Sequence, residues 1–151
     1  MLEYNDDYPT CLKTYATLRI YHDALIPDSV SQRLGIEPTE SQVKGQILDS
    51  TGRLRARIGG WFLSTLDTIE SKDSRAHIDG LLDRLEGKGE VLQLMRAEGY
   101  SIDISCYWLS ASGHGGPLLS PGTMARAVRL GLDIWFDVYF SRLSRSSDTV
   151  S

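Results

Sequence analysis

Polar and apolar residues alternate along three stretches of the chain, and this alternation predicts three β-strands. The stretches cover residues 15–21, 100–109 and 134–140. Successive side chains of a strand point to opposite faces of a sheet. Each strand is therefore expected to bury one face against a core and to leave the other face more polar.

Apolar residues spaced by three or four positions predict helices between these strands. Two helices are expected within residues 74–98, where Asp73 or Ser74 can cap the first of them. Two shorter helices are expected to begin at Pro27 and Pro121, because a proline in the first turn of a helix costs no hydrogen bond.

The two short helices belong to a weak internal repeat. Each follows a strand and leads to a glycine that can end a helix in the left-handed conformation, Gly35 in one case and Gly131 in the other. This order predicts an α+β fold made of two duplicated ferredoxin-like βαβ halves, about residues 14–66 and 100–140, with the helical segment 74–98 between them. The sheet is expected to be mixed or antiparallel, with helices mainly on one face. The alternative is that such helix starts and stops recur in any α/β chain.

A pair of glycines, Gly59 and Gly60, separates two short runs of alternating residues. The runs cover residues 53–58 and 61–66, and a Gly-Gly pair between such runs is typical of a tight turn. The sequence therefore predicts a β-hairpin at this point.

Length and composition are those of one ordinary globular domain. The chain has 151 residues, of which 41% are apolar and 24% are charged, and a domain of this size can bury a core without a metal or a disulfide. Residues 1–143 are expected to form a single domain. The serine-rich residues 144–151 are expected to be a disordered tail.

Charge and targeting signals narrow the expected partners and location. The formal net charge of −4 offers no general attraction to phosphate backbones, so a nucleic-acid partner is not expected. Residues 1–10 lack the features of a signal peptide, and no stretch approaches the roughly 20 apolar residues of a membrane span; the expected location is the cytoplasm.

Cys11 and Cys106 are expected to be buried thiols, with a disulfide between them as the alternative.

Several short segments spread along the chain carry a family resemblance. They are Tyr15 to Ile20, Leu34-Gly35-Ile36-Glu37-Pro38-Thr39, Lys44-Gly45, Gly60-Trp61, Leu130-Gly131-Leu132, Asp137 and Tyr139. In combination they resemble a bacterial family catalogued as domain of unknown function 4279, over roughly residues 14–140. The resemblance implies a compact α+β domain, and the family name implies no activity.

One face of the last predicted strand combines aromatic and acidic side chains, Asp133, Trp135, Asp137 and Tyr139. If this face is open, it is suited to bind a protein, a peptide or a cationic group. The alternative is that a second layer covers it. The leading hypothesis is a non-enzymatic protein-binding domain of an immunity or adaptor type, or one that associates with itself through this face.

A second hypothesis is a small-anion site or an enzyme. Glycine-rich backbone before a helix can bind an anion, and basic side chains can add to it. The loop 113–116 has this character, although its spacing matches neither a dinucleotide fingerprint nor a P-loop. The candidate residues are Arg19, Lys44, Arg55, His114, Gly115 and Gly116.

Catalytic and metal motifs are weak in the sequence. The three histidines show no metal-ligand spacing, and nothing resembles an activated nucleophile. Asp103 and Asp137 could form an acid–base pair only if they met across neighbouring strands. The sequence therefore favours a non-enzymatic role, with no metal and no cofactor expected.

Overall fold

One five-stranded sheet and four helices make up the fold. The computed structural model describes residues 3–141. The elements, in chain order, are β1 (Cys11–His22), α1 (Pro27–Leu34), β2 (Glu40–Gln42), β3 (Gly59–Ser64), α2 (Ser74–Arg84), α3 (Gly89–Ala97), β4 (Ser101–Ser110), α4 (Pro121–Leu130) and β5 (Asp133–Phe140). The predicted tail, residues 144–151, lies outside the described residues.

The sheet is mixed, with strand order β2-β3-β1-β4-β5. The central strand β1 runs antiparallel to β3 and to β4, while β5 runs parallel to β4 at one edge. The predicted α+β class with a mixed sheet is confirmed. The two predicted halves place their strands differently: α4 joins two adjacent strands, whereas β3 lies between the strands that α1 joins. The ferredoxin-like duplication therefore stays a prediction.

One face of the sheet is buried under the helices. Leu18 of β1 and Ile104 of β4 have zero exposure on this side. They lie in one register row with Leu63 of β3, which is also buried, and Ile134 of β5, which is partly buried. All four helices contribute apolar side chains to this side, including Val30, Leu34, Ile78, Leu82, Leu92, Met95 and Leu130. The period-two pattern of the sequence thus identified β1, β4 and β5, and the helices cover only one face of the sheet.

The predicted helix boundaries follow from local backbone chemistry. Pro27 and Pro121 occupy the first positions of α1 and α4. Gly35 and Gly131 end these helices with φ of 68° in both cases, which is the left-handed conformation that glycine adopts without a steric penalty.

The predicted hairpin around Gly59 and Gly60 is wrong. Both glycines lie inside β3, paired with His22 and Tyr21 of β1, and residues 53–58 form no strand. A Cβ on Gly59 would lie 2.6 Å from the carbonyl oxygen of His22. Glycine is required here for a close approach between backbones, and not for a turn.

A polar network ties the start of α2 to the N-terminal segment and to α4. Asp73 is fully buried and caps α2 by accepting a hydrogen bond from the backbone N–H of Arg75. It also accepts from the Asn5 N–H and forms an ion pair with the Arg75 guanidinium at 2.7 Å. Arg75 in turn donates to Ser120 Oγ and to the Glu3 carbonyl. Burial raises the pKa of Asp73, but these hydrogen bonds outweigh it and hold the pKa below its usual value.

A second buried polar chain runs through His77, which is 1% exposed. His77 Nε2 lies 2.8 Å from the Ser71 carbonyl, which can only accept, so Nε2 carries the proton. Nδ1 then accepts from the Thr65 hydroxyl at 2.6 Å, and Thr65 Oγ1 accepts from the Ala16 N–H. The neutral imidazole thus joins α2 to β1, and burial lowers its pKa below 6.5.

The cysteines are buried free thiols, as predicted. Burial raises the pKa of both Cys11 and Cys106 to about 11, so both are protonated at neutral pH.

Over residues 3–141, none of the helices has the length and apolar character needed to cross a membrane.

Replacing Asp73 with Ala is expected to lower the free energy of unfolding by about 3 kcal/mol, because it removes a helix cap and leaves a partly buried guanidinium without its carboxylate. Denaturant unfolding followed by circular dichroism measures this change. The control is Asp83→Ala on the same helix, whose exposed ion pair with Arg126 is worth less than about 1 kcal/mol. Equal losses in the two variants would contradict this account of the network.

The free energy of unfolding is expected to fall as the pH drops below 6.5. Because the pKa of His77 is lowered in the folded protein, the unfolded chain takes up a proton first, and acidification favours unfolding until the folded pKa is reached. Urea unfolding between pH 7.5 and pH 5 measures the slope. His77→Gln should flatten this slope whatever its effect on stability at pH 7.5, and an unchanged slope would exclude His77 as its source.

Candidate functional site

The side of the sheet opposite the helices is not covered by any helix or strand of residues 3–141. We call it the open face. Its side chains on the four long strands include Tyr15, Thr17, Arg19, Tyr21, Phe62, Ser64, Asp103, Ser105, Tyr107, Asp133, Trp135, Asp137 and Tyr139. The side chains on β1 and β4 are half-buried by their neighbours, whereas those on β5 are exposed.

Three tyrosines form a ladder across the open face. The rings of Tyr15 and Tyr107 are stacked with centroids 4.9 Å apart, and those of Tyr107 and Tyr139 are 5.3 Å apart. Sheet register places Tyr15 opposite Tyr107, and Tyr107 opposite Asp137. Each ring limits the rotation of the next, so the ladder presents a pre-formed aromatic surface that ends at β5.

The centre of the open face is neutralised by an ion pair. Arg19 donates from Nε and Nη2 to the two carboxylate oxygens of Asp103, at 2.8 and 2.9 Å. Its guanidinium also lies 5.9 Å from the centre of the Tyr21 ring. The hydrogen bonds to Asp103 raise the pKa of Arg19. Arg19 is therefore engaged with a carboxylate of its own chain, and the bidentate geometry makes that pairing specific.

At β5 the open face is aromatic, acidic and exposed. Trp135 and Tyr139 are 59% and 47% exposed. Asp133 and Asp137 form no ion pair with any residue between 3 and 141. The Tyr139 hydroxyl donates to Asp137 at 3.1 Å, and this hydrogen bond raises the pKa of Tyr139. The Tyr139 phenol is therefore held as a hydrogen-bond donor to Asp137 Oδ2.

A groove of about 450 Å³ borders the open face on the side of β3. Tyr15, Thr17 and Phe62 form part of its wall. Its two charged lining residues are Glu40 and Asp67, and both are acidic. The acidic and aromatic character of β5 therefore recurs at the opposite edge of the same face.

The chemistry of this face suits a cation. Exposed aromatic rings attract guanidinium and ammonium groups through their faces, and the carboxylates of Asp133 and Asp137 add a charge of opposite sign. The arrangement has the chemistry to hold the guanidinium of an arginine or the ammonium group of a lysine.

The predicted anion-site residues do not converge. The Lys44 ammonium lies 3.6 Å from the carboxylate of Asp23, which follows the C-terminal end of β1. The Arg55 guanidinium donates to the Gly45 carbonyl. Arg19 is paired with Asp103 in the middle of the sheet.

The glycine-rich loop lies at the other end of β1. In this loop the Gly116 carbonyl accepts a hydrogen bond from the Tyr8 hydroxyl. The backbone N–H of Ala111, just before the loop, donates to the Thr10 carbonyl. His114 is exposed in the same loop and lies beside Ser112. A strand of 12 residues spans roughly 36 Å at about 3.3 Å per residue, so Lys44 and Gly115 cannot hold one small anion together.

The possible acid–base pair of Asp103 and Asp137 does not form. Asp103 lies opposite Asp133, and Asp137 lies opposite Tyr107 four positions further along β4. Four positions correspond to roughly 13 Å along a strand. Asp103 is also bound by Arg19, so the two carboxylates act separately.

Sequence reasoning proposed the β5 residues of the open face and missed Tyr15, Glu40 and Asp67. Tyr15 had a usable signal, because it occupies a polar-side position of an alternating strand. The contacts of Tyr15 with Tyr107 and of Tyr107 with Tyr139 depend on the strand register, which no short-range pattern specifies. Glu40 and Asp67 adjoin the face only through the tertiary fold.

A protein-family model described as Domain of unknown function (DUF4279) matches residues 12–141. Neither a curated protein nor a solved structure matches the chain. The residues from 3 to 141 contain no group of three or more His, Cys, Asp or Glu side chains that could hold a metal ion.

Trp135 is expected to account for most of the acrylamide-accessible tryptophan fluorescence. Trp61 and Trp108 are 0% and 1% exposed, so the quencher reaches neither of them in the folded protein. Trp135→Phe should remove the quenchable component and change the free energy of unfolding by less than about 0.5 kcal/mol. Undiminished quenching in this variant would show that Trp135 is covered in solution.

Proposed function

The chain belongs to the family described as domain of unknown function DUF4279, and from this premise we propose that it is a non-enzymatic binding domain for a partner protein. The proposed site is the β5 side of the open face, and the group it binds is a basic segment of the partner. The observation that carries the proposal is the exposure of Trp135 and Tyr139 beside two carboxylates, Asp133 and Asp137, that form no ion pair with any of residues 3–141.

The energetics of the face support a partner with arginine or lysine. Aromatic side chains supply large contact areas with little loss of side-chain entropy, which is why they are enriched in interfaces. A carboxylate at the rim of such a patch attracts a basic partner over a distance and favours the correct orientation. The net charge of −4 adds to this attraction.

Three of the potentially reactive side chains are buried, which supports a role without chemistry. The thiols of Cys11 and Cys106 are buried and have pKa values of about 11. The His77 imidazole has both nitrogens engaged in buried hydrogen bonds. A nucleophile needs an adjacent base and access to a substrate, and these three groups lack the access.

A rigid acidic surface on a small domain suits an immunity-type or adaptor-type role. In either role the protein acts by occupying a surface of its partner. Self-association through the same face is the milder form of this proposal. The anion-binding alternative receives less support, because its residues lie at opposite ends of β1.

Tagged protein is expected to retain one protein partner in stoichiometric amount from a lysate of its own cell. Trp135→Ala and Asp137→Asn should each lower the amount of retained partner at least about tenfold. Added salt should weaken the binding as well, because part of the attraction is between exposed charges. Quantitative mass spectrometry of the retained proteins and small molecules measures both effects.

Two exposed residues away from the open face provide matched controls. Val128→Ala removes an apolar side chain that is 78% exposed on α4, and Asp83→Asn removes an exposed carboxylate on α2. Both variants should retain the partner. Equal retention by the open-face variants, or retention of a small anion with no protein, would contradict the proposal.

A further inference from the structure

One edge of the sheet is long and unpaired. β5 pairs with β4 on one side, and no strand of residues 3–141 pairs with its other side. The opposite edge is formed by β2, which has three residues, against eight in β5. A long edge strand presents a row of backbone N–H and C=O groups to which another extended chain can pair.

The direction of these backbone groups follows from one hydrogen bond. The Ser141 N–H donates to the Ser110 carbonyl of β4 at 3.3 Å. Backbone groups of successive residues point to alternate sides of a strand, so Asp137 and Tyr139 also direct theirs toward β4. Phe136 and Val138 therefore direct their N–H and C=O groups to the free edge.

Apart from the carboxylates of Asp133 and Asp137, no side chain of β5 protects this edge. Natural edge strands carry lysine, proline or an inward-pointing charge that discourages pairing, and β5 carries no lysine, arginine or proline. Toward its C-terminal end it is exposed on both faces. Val138 and Phe140 are 45% and 58% exposed on the helix side, and Tyr139 is 47% exposed on the open face.

We infer that the partner docks as an extended strand added to the free edge of β5, with basic residues on one face and apolar residues on the other. This inference rests on the proposed function and specifies its geometry. Alternate side chains of the added strand lie over the open face beside Asp133, Trp135 and Asp137. The remaining side chains lie beside Val138 and Phe140, which they cover.

Charge complementarity favours such a segment over a second copy of this chain. β5 contributes two carboxylates, Asp133 and Asp137, and no positive charge. A paired second copy would bring two more carboxylates to the open face, and like charges on neighbouring strands are destabilising. A strand with arginine at alternate positions brings the opposite charge to both carboxylates.

A capped octapeptide of alternating arginine and valine is the probe. It is expected to bind the full chain, measured by calorimetry, at least about tenfold more tightly than a peptide of four arginines followed by four valines. The two peptides have equal charge and composition and differ only in periodicity. No preference for the alternating peptide overturns the inference.

Backbone methylation tests the hydrogen bonds directly. One peptide carries N-methyl groups on all valines and another carries them on all arginines. In an added strand only alternate N–H groups face β5, so one of the two peptides should lose binding and the other should keep it. The valine set should be the sensitive one for an antiparallel strand, and the arginine set for a parallel strand. Equal binding by both peptides overturns strand addition.

The protein side is tested at Val138, whose N–H faces the free edge. Val138→Pro removes this N–H without removing a hydrogen bond to β4. Val138→Ala is the control, because it also loses the valine side chain but keeps the backbone N–H. The proline variant should bind the alternating peptide at least about tenfold more weakly than the alanine variant. Bound peptide should also slow hydrogen exchange of the Phe136 and Val138 amides, a measurement on the unchanged protein.

The same experiments separate the inference from the proposed function. If Trp135→Ala and Asp137→Asn weaken peptide binding while Val138→Pro matches Val138→Ala, the open face binds by side chains alone and strand addition is overturned. If Trp135→Ala and Asp137→Asn bind like the unchanged protein, the open face itself is not the site. Self-association that grows with protein concentration and blocks the peptide would identify a second copy as the occupant.

Discussion

The fold depends on the fact that the helices cover only one face of the sheet. Burial of the alternating apolar residues of β1, β3 and β4 under the helices provides the largest stabilising contribution. The other face has to be stable beside water with its own contacts. The tyrosine ladder and the bidentate pair of Arg19 with Asp103 provide them on the central strands. β5 lies beyond this central pair, and its open-face side chains remain available.

The polar interior concentrates at α2. Asp73 joins the helix start to the N-terminal segment and, through Arg75, to the start of α4. His77 joins the same helix to β1 through Thr65. Buried polar groups are costly unless their hydrogen bonds are made, and the side chains of Asp73 and His77 make theirs with specific neighbours. These contacts help to fix how α2 lies on the sheet.

The contrast between the face of the sheet under the helices and the open face supports binding as the function. The buried half holds the thiols and the histidine with the lowered pKa, away from any substrate. The exposed half presents aromatic rings, carboxylates and a strand edge with which no strand of residues 3–141 pairs, and these are recognition elements. The two proposals use different atoms of β5, side chains in one case and backbone groups in the other. A partner that uses both gains affinity from the backbone and selectivity from the carboxylates.

The sequence by itself determined three of the five strands, β1, β4 and β5, the ends of α1 and α4, and the composition of the β5 face, because these depend on local alternation and on proline and glycine at particular positions. It misread Gly59 and Gly60, since a glycine in a turn and a glycine under a close backbone contact look alike along the chain. Only the tertiary structure decided the strand register, which brings Tyr107 beside Tyr139, and the separation of Lys44 from Gly116. Such relations depend on contacts between residues far apart in the chain, and short-range patterns do not encode them. The same holds for the open face: alternation distinguishes the two sides of a strand, but only the packing of the helices selects the side that remains exposed.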